Sequence, residues 1–141
     1  MQAAVGNRIR VLISDDSRTF RQVTRQLLLT SEDIEVVGEA ADGLSALEEV
    51  ERLRPDVVLM DCRMPGMDGI DATRRIRSQF PTTAVVGISS DVAGCIDEMR
   101  EAGADEVLEK GAGPEELGQV IRTAARNFPS EGRPHKGVRQ L

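Results

Sequence analysis

The sequence predicts an α/β protein, a parallel sheet of five strands with helices on its faces. Three observations carry that prediction. Short apolar runs alternate with helical stretches five times along the chain. The clearest runs, Ile9-Arg10-Val11-Leu12-Ile13 and Val57-Val58-Leu59-Met60, are near-continuous, as strands buried on both faces of a parallel sheet are. Acidic residues follow both runs: Asp15-Asp16 after the first and Asp61 after the second. Ligands of open α/β sheets bind beyond such carboxyl ends.

The elements follow in order. The first strand covers 8–13, and the first helix opens at an Asp16 or Ser17 N-cap. Phe20, Val23, Leu27 and Leu28 form that helix's apolar stripe. The second strand is 34–39. The second helix, 43–54, is predicted to bury Leu44, Leu47, Val50 and Leu53 before Pro55 stops it. The third strand, 56–61, runs into a turn-rich loop, Cys62-Arg63-Met64-Pro65-Gly66-Met67-Asp68-Gly69. The third helix carries Ile70 and Ile76, and Arg74, Arg75 and Arg77 read as its solvated face. The fourth strand is 84–89. The fourth helix, 92–102, is weakly patterned, with Ile96 and Met99, and ends at Gly103. The fifth strand is short, 106–109. The last helix starts at Pro114 and carries Leu117, Val120, Ile121, Ala124, Ala125 and Phe128. Strand–helix alternation of this kind implies right-handed βαβ units.

Domain organisation is simple: an N-terminal extension at 1–6, one domain at 7–128, and a flexible basic tail or linker at 129–141. Three Phe with no Trp or Tyr argue against a base-stacking surface, and a net charge of −6 argues against broad nucleic-acid binding. No run is long enough to span a membrane, so the expected location is the cytoplasm. In that reducing compartment Cys62 and Cys95 are expected to be free thiols, and no base near Cys62 in sequence activates it. Met60, Met64 and Met67 read as packing residues, and His135 stands alone in the tail.

Three carboxylates brought to one sheet edge repel one another unless a cation sits between them. All-oxygen ligands with room for water favour Mg²⁺. A carboxylate beside that ion can attack phosphorus. Taken singly, Asp15-Asp16 reads more readily as a helix N-cap pair and Asp61 as a solvated turn residue.

Four segments in order change that weighting: Val-Leu-Ile-Ser-Asp15-Asp16, Val-Val-Leu-Met-Asp61-Cys-Arg-Met-Pro-Gly-Met-Asp-Gly69, Val-Val-Gly-Ile-Ser89-Ser90 and Gly-Ala-Asp-Glu-Val-Leu-Glu-Lys110. Together they resemble the receiver domain of two-component response regulators, over roughly residues 7–128. The style of the segments is similar to receivers that precede a helix-turn-helix output domain. The resemblance implies a flavodoxin-like (βα)5 three-layer sandwich with strand order 2-1-3-4-5. It implies Asp61 as phospho-acceptor, Asp16 and Asp61 as direct Mg²⁺ ligands, Asp15 acting through water, and the Arg63 carbonyl completing the set. It gives Ser89 and Lys110 as partners of the phosphoryl group. The implied donor is a sensor histidine kinase or phosphotransfer protein. The implied output is a downstream protein or a homodimer, reached through the fourth helix, fifth strand and fifth helix, with neither nucleic acid nor membrane bound by this domain. No external substrate is turned over, so the chain is not expected to be an enzyme.

The sequence also departs from the family pattern. Val107 stands where an aromatic switch residue is usual. Gly111 follows Lys110 in place of proline, which predicts a trans bond or a mobile loop, since a non-proline cis bond is costly. Ser90 replaces a small alanine. Asp91 and Arg63 flank the route of an attacking water and are expected to pair and set the dephosphorylation rate. Three other readings compete: a receiver portion of a DNA-binding regulator, a relay intermediate, and, remotely, a Mg²⁺-dependent aspartyl-phosphate phosphatase. That last class needs Asp-x-Asp after its first strand, and this chain has adjacent aspartates there. A flavodoxin-like nucleotide binder needs a Ser/Thr/Gly-rich loop where Asp-Asp-Ser-Arg stands.

Overall fold

A computed structural model describes residues 7–90 and 92–127, and at 92–94 the backbone alone. The extension at 1–6, the tail at 129–141, Asp91, Phe128 and His135 lie outside the described residues. The order is β1 (Ile9–Ser14), α1 (Arg18–Leu28), β2 (Ile34–Ala40), α2 (Gly43–Leu53), β3 (Val57–Asp61), α3 (Gly69–Gln79), β4 (Ala84–Ser89), α4 (Val92–Ala102), β5 (Glu106–Glu109) and α5 (Pro114–Asn127). The strands form one parallel sheet in the order β2-β1-β3-β4-β5. This is the flavodoxin-like arrangement that the family resemblance implied.

Strand alternation sorts the core into two layers. Leu12, Val58, Met60 and Val85 pack on one face with residues of α2, α3 and α4. Val11, Ile13, Val57, Leu59, Val86 and Ile88 pack on the other with α1 and α5. β3 is buried along its whole length, which is why its sequence shows no polar alternation. The register Ser14↔Met60 then sets Asp15 and Asp61, each one residue further on, at the same level of the sheet edge.

Four expectations are corrected. Val23 is 49% exposed and Leu44 57% exposed. Thr24 and Ala46 take the inward positions instead, because each helix turns its face slightly from the one the largest apolar residues suggest. Arg77 is no solvated side chain. It reaches from α3 to Asp105 (3.2 Å), which also accepts from the Val85 amide (2.9 Å), and both charges are largely buried. Finally, Cys62 and Cys95 are not free thiols: they form a disulfide, Cα to Cα 6.7 Å, across 33 residues of chain. The end of β3 and α4 are remote in sequence, and only the packing of α4 over β4 brings the two sulfurs together.

Candidate phospho-acceptor site

Local folding aims each carboxylate. The Asp15 amide donates to the Ala40 carbonyl (3.0 Å), holding the end of β1 in the sheet. Asp15 Oδ1 accepts from the Ser17 amide (2.8 Å), turning the chain into α1, while Ser17 itself caps the helix through the Phe20 amide. The capping role considered for Asp16 therefore falls to Ser17. Asp15 Oδ2 lies 2.9 Å from Lys110 Nζ. After β3, the Cys62 amide donates to the Ile88 carbonyl and the Cys62 carbonyl accepts from Gly69 (both 3.0 Å). A Cβ on Gly69 would collide with the Asp61 carbonyl oxygen, so the loop closes this tightly over Asp61 only with glycine there.

Lys110 follows β5, and its amide donates to the Ser89 carbonyl (2.9 Å). Its ammonium lies 3.6 Å from Asp61 Oδ2 and 4.5 Å from the centre of the Phe20 ring. Carboxylate oxygens of Asp15, Asp16 and Asp61 all lie within 4.8 Å of one another. Asp15 and Asp61 are buried, while Asp16 is exposed. Burial is the main force that pushes the Asp61 carboxyl up to about 6; the neighbouring Asp15 charge adds to it, and Lys110 and the Arg63 amide pull the other way. For Lys110, burial favours the neutral amine, but the carboxylates of Asp15 and Asp61 outweigh it and raise its pKa.

One lysine thus faces three clustered carboxylates. The donor set is hard oxygen only, two of its members are buried, and their repulsion is incompletely offset, so the residues fit a divalent cation of the Mg²⁺ type. Ser89 is buried at the end of β4, with Oγ 3.1 Å from Cys95 Sγ. Ser90 is exposed, and Val107 is half-buried against the core on the α2–α3–α4 face. The described backbone contains no cis peptide. Gly111 takes φ of +95°, a conformation L-residues avoid, so glycine at this loop serves geometry.

The family described as "Response regulator receiver domain" matches residues 11–122. This chain belongs to that family. As a receiver domain it is 43% identical over 110 residues to protein-glutamate methylesterase/protein-glutamine glutaminase 4 of Myxococcus xanthus, covering 76% of this chain and 31% of that protein. It is also 43% identical over 111 residues to the uncharacterized transcriptional regulatory protein YhcZ of Bacillus subtilis, covering 77% and 51%. The chain therefore spans 31% and 51% of the length of these two curated relatives. Among solved structures, the response regulator domain of Thermotoga maritima CheB superposes with a TM-score of 0.79 at 35% identity, over 86% of this chain and 99% of that one. The receiver domain of AraT, a response regulator from Geobacillus stearothermophilus, gives 0.75 at 32%, over 84% and 93%.

The receiver site brings together Asp15, Asp16, Asp61 and Lys110 as the sequence implied, with Ser89 at the neighbouring strand end. Asp91 lies outside the described residues. The Arg63 guanidinium is 3.5 Å from Glu98 on α4, a partner the sequence did not suggest. Three further contacts escaped sequence reasoning: Phe20 beneath Lys110, Cys95 against Ser89, and Asp15 as the nearer carboxylate to Lys110. The spacing of Cys95 and Met99, four apart on one helix, was the one available signal that Cys95 faces inward.

Proposed function

We propose that this receiver domain is a Mg²⁺-dependent signalling switch in which Asp61 accepts a phosphoryl group from a phosphohistidine. The observation that carries the reading is the cluster itself: three carboxylates within 4.8 Å, with the Lys110 ammonium between two of them. Asp61 attacks phosphorus through a carboxylate oxygen; the new O–P bond forms as the donor's N–P bond breaks, and the imidazole leaves with the bonding pair and takes up a proton. Asp16, Asp61 and the Arg63 carbonyl would hold Mg²⁺, with Asp15 acting through a water. When bound, the ion supplies positive charge beside the transferring oxygens. Lys110 supplies a second positive charge, already anchored by Asp15, so it need not travel far to reach a phosphoryl oxygen.

The acyl phosphate adds negative charge and three strong acceptors. Ser89 turns toward it, and the β4–α4 connection follows, biasing the α4–β5–α5 face between two arrangements. Val107 in place of an aromatic makes Ser89 and α4, rather than a swinging ring, the moving parts. That face binds a downstream protein or a second copy of the chain. Ser90, Asp91 and Arg63 at the mouth set the lifetime of the phosphate, and Gly111 shapes the loop behind Lys110. The domain turns over no external substrate and acts in the cytoplasm; no helix among the described residues is long and apolar enough to cross a membrane.

The test is intact-mass spectrometry after incubation with acetyl phosphate, with and without Mg²⁺, on wild type and Asp61→Asn. A single Mg²⁺-dependent phosphoryl adduct, absent from the variant, is the expected result. An adduct that survives the substitution removes Asp61 from its role. The partial coverage of the relatives supports a second reading, that the domain is the receiver portion of a longer regulator whose output lies elsewhere.

A further inference from the structure

We propose that Cys62 and Cys95 form a redox-modification site whose disulfide ties α4 to the acceptor loop and restrains the phosphorylation response. The restraint rests on the switch reading above; the redox chemistry of the pair does not.

The argument begins with where the bond sits. Cys62 directly follows Asp61, and its amide and carbonyl hold the acceptor loop between Ile88 and Gly69. Cys95 lies on α4, the element that must move if phosphorylation is to reach the output face. The Cys95 sulfur also lies 3.1 Å from Ser89 Oγ. One covalent bond therefore joins two of the parts whose relative motion makes the switch, the acceptor loop and α4, and a hydrogen-bond contact adds the third, Ser89. Among the described side chains, α4 is also anchored by Met99 against Gly87 and by Ala102 in the core. A second, weaker link runs beside the disulfide, from Arg63 in the acceptor loop to Glu98.

The bond also changes what Ser89 can do. A disulfide sulfur carries no hydrogen, so in the contact with Cys95 the Ser89 hydroxyl is the donor. A Cys95 thiol can donate its own hydrogen to Ser89 Oγ, which lets the serine proton turn toward a phosphoryl oxygen. Reduction thus loosens α4 and changes the donor in the contact at the same residue.

The chemistry balances with a dithiol reductant. One of its thiolates attacks a sulfur of the pair, the Cys62–Cys95 bond breaks, and a mixed disulfide forms. The reductant's second thiolate displaces the bound cysteine and leaves as a disulfide. Two electrons and two protons end on Cys62 and Cys95 as thiols. Both residues are buried, 1% and 2% exposed, so attack requires the start of α4 to lift. Whatever loosens α4 then favours reduction, and closure of the bond holds α4 down. In a reducing compartment, disulfides are transient and serve sensing or catalysis more often than permanent bracing.

The experiment uses the full chain, closed with oxidised glutathione or opened with dithiothreitol, with thiols counted by alkylation and intact mass. Hydrogen exchange is followed in peptides covering 92–102, with those of 43–53 as internal control, before and after acetyl phosphate and Mg²⁺. Opening the bond is expected to speed exchange in 92–102 roughly tenfold and leave 43–53 unchanged. Acetyl phosphate is then expected to alter exchange in 92–102 in the open form and not in the closed one. Cys62→Ala and Cys95→Ala, each checked for folding by circular dichroism, should behave as the open form under oxidant. Failure of oxidant to close the pair, or equal exchange of 92–102 in both states, overturns the redox site. An equal phospho-response in both states overturns the restraint. Absence of any phosphoryl adduct in the open form sinks the switch reading instead, and the exchange comparison still decides the cysteine pair.

Discussion

The two ends of the sheet treat charge in opposite ways. At the amino end, opposite charges meet and are matched. The Arg10 amide donates to Asp56 Oδ2 (2.8 Å), and the Arg10 guanidinium caps the Leu53 and Arg54 carbonyls at the end of α2 (2.8 Å each). Nearby, Arg77 pairs with Asp105, which also fixes the Val85 amide at the start of β4. At the carboxyl end, like charges meet: three carboxylates crowd together and one lysine partly offsets them. Both ends bury charge, so burial alone does not mark a functional site. What marks it is the mismatch, which a stable fold has no reason to build unless a further charge arrives. The amino end specifies the fold, and the carboxyl end spends some of the stability that results.

The comparison predicts its own largest effect at the matched end. Arg77→Ala leaves Asp105 buried beside apolar strands without its guanidinium, and is expected to cost about 3–5 kcal/mol, read from the urea midpoint. The folded fraction should still form the Asp61 adduct. A loss under about 1 kcal/mol would show that the amino end is less critical to the fold than its geometry suggests. Opening the Cys62–Cys95 bond, which staples the mismatched end across 33 residues, is expected to cost about 2–4 kcal/mol in the same assay.

The mismatched end makes the opposite prediction: removing charge there should stabilise. The Asp61 carboxyl is raised from 3.8 to about 6, so the folded state holds a proton more tightly than the unfolded state does. Its favourable contribution is complete below 3.8 and is lost as pH rises through about 6. Above that range the ionised group is a liability on the order of 2 kcal/mol. Asp61→Asn is therefore expected to raise stability by about that amount at neutral pH without Mg²⁺, and to give little below about pH 4. Adding Mg²⁺ should stabilise wild type more than the variant and narrow the gap. A variant less stable than wild type at neutral pH would mean that Lys110 already balances the cluster.

How much of this was legible in the sequence follows from the range of the forces involved. The strands were legible because burial on both faces leaves near-continuous apolar runs, and β3 and β4 show it plainly. The carboxylates were legible because each follows such a run, where topology brings them to one edge; Lys110, after the short Glu-Val-Leu-Glu of β5, was legible only through the family resemblance. Helix faces were read less well. At Val23 and Leu44 residue size suggested burial, but the inward direction belonged to Thr24 and Ala46. The disulfide, Phe20 under Lys110 and Glu98 beside Arg63 depend on how helices sit over the sheet, which has no local signature. Arg77 read as a solvated helix face for the same reason: its partner lies 28 residues away.

The smallest expected effect on stability separates the two ends most sharply. Arg63 and Glu98 are 3.5 Å apart and both are exposed, so their attraction is screened and the two side chains keep much of their freedom. Arg63→Ala should change stability by no more than about 0.5 kcal/mol, in contrast to Arg77→Ala. Its backbone amide, which supports Asp61, is untouched by the substitution. The side chain nevertheless stands two residues beyond the acceptor, and the proposed function has it flank the route by which water reaches the acyl phosphate. The lifetime of the Asp61 adduct should therefore change while the urea midpoint does not, and the change should shrink at high salt. An adduct lifetime identical to wild type and insensitive to salt would remove Arg63 from control of dephosphorylation. It would also limit the functional content of this end of the sheet to the charges that are buried there.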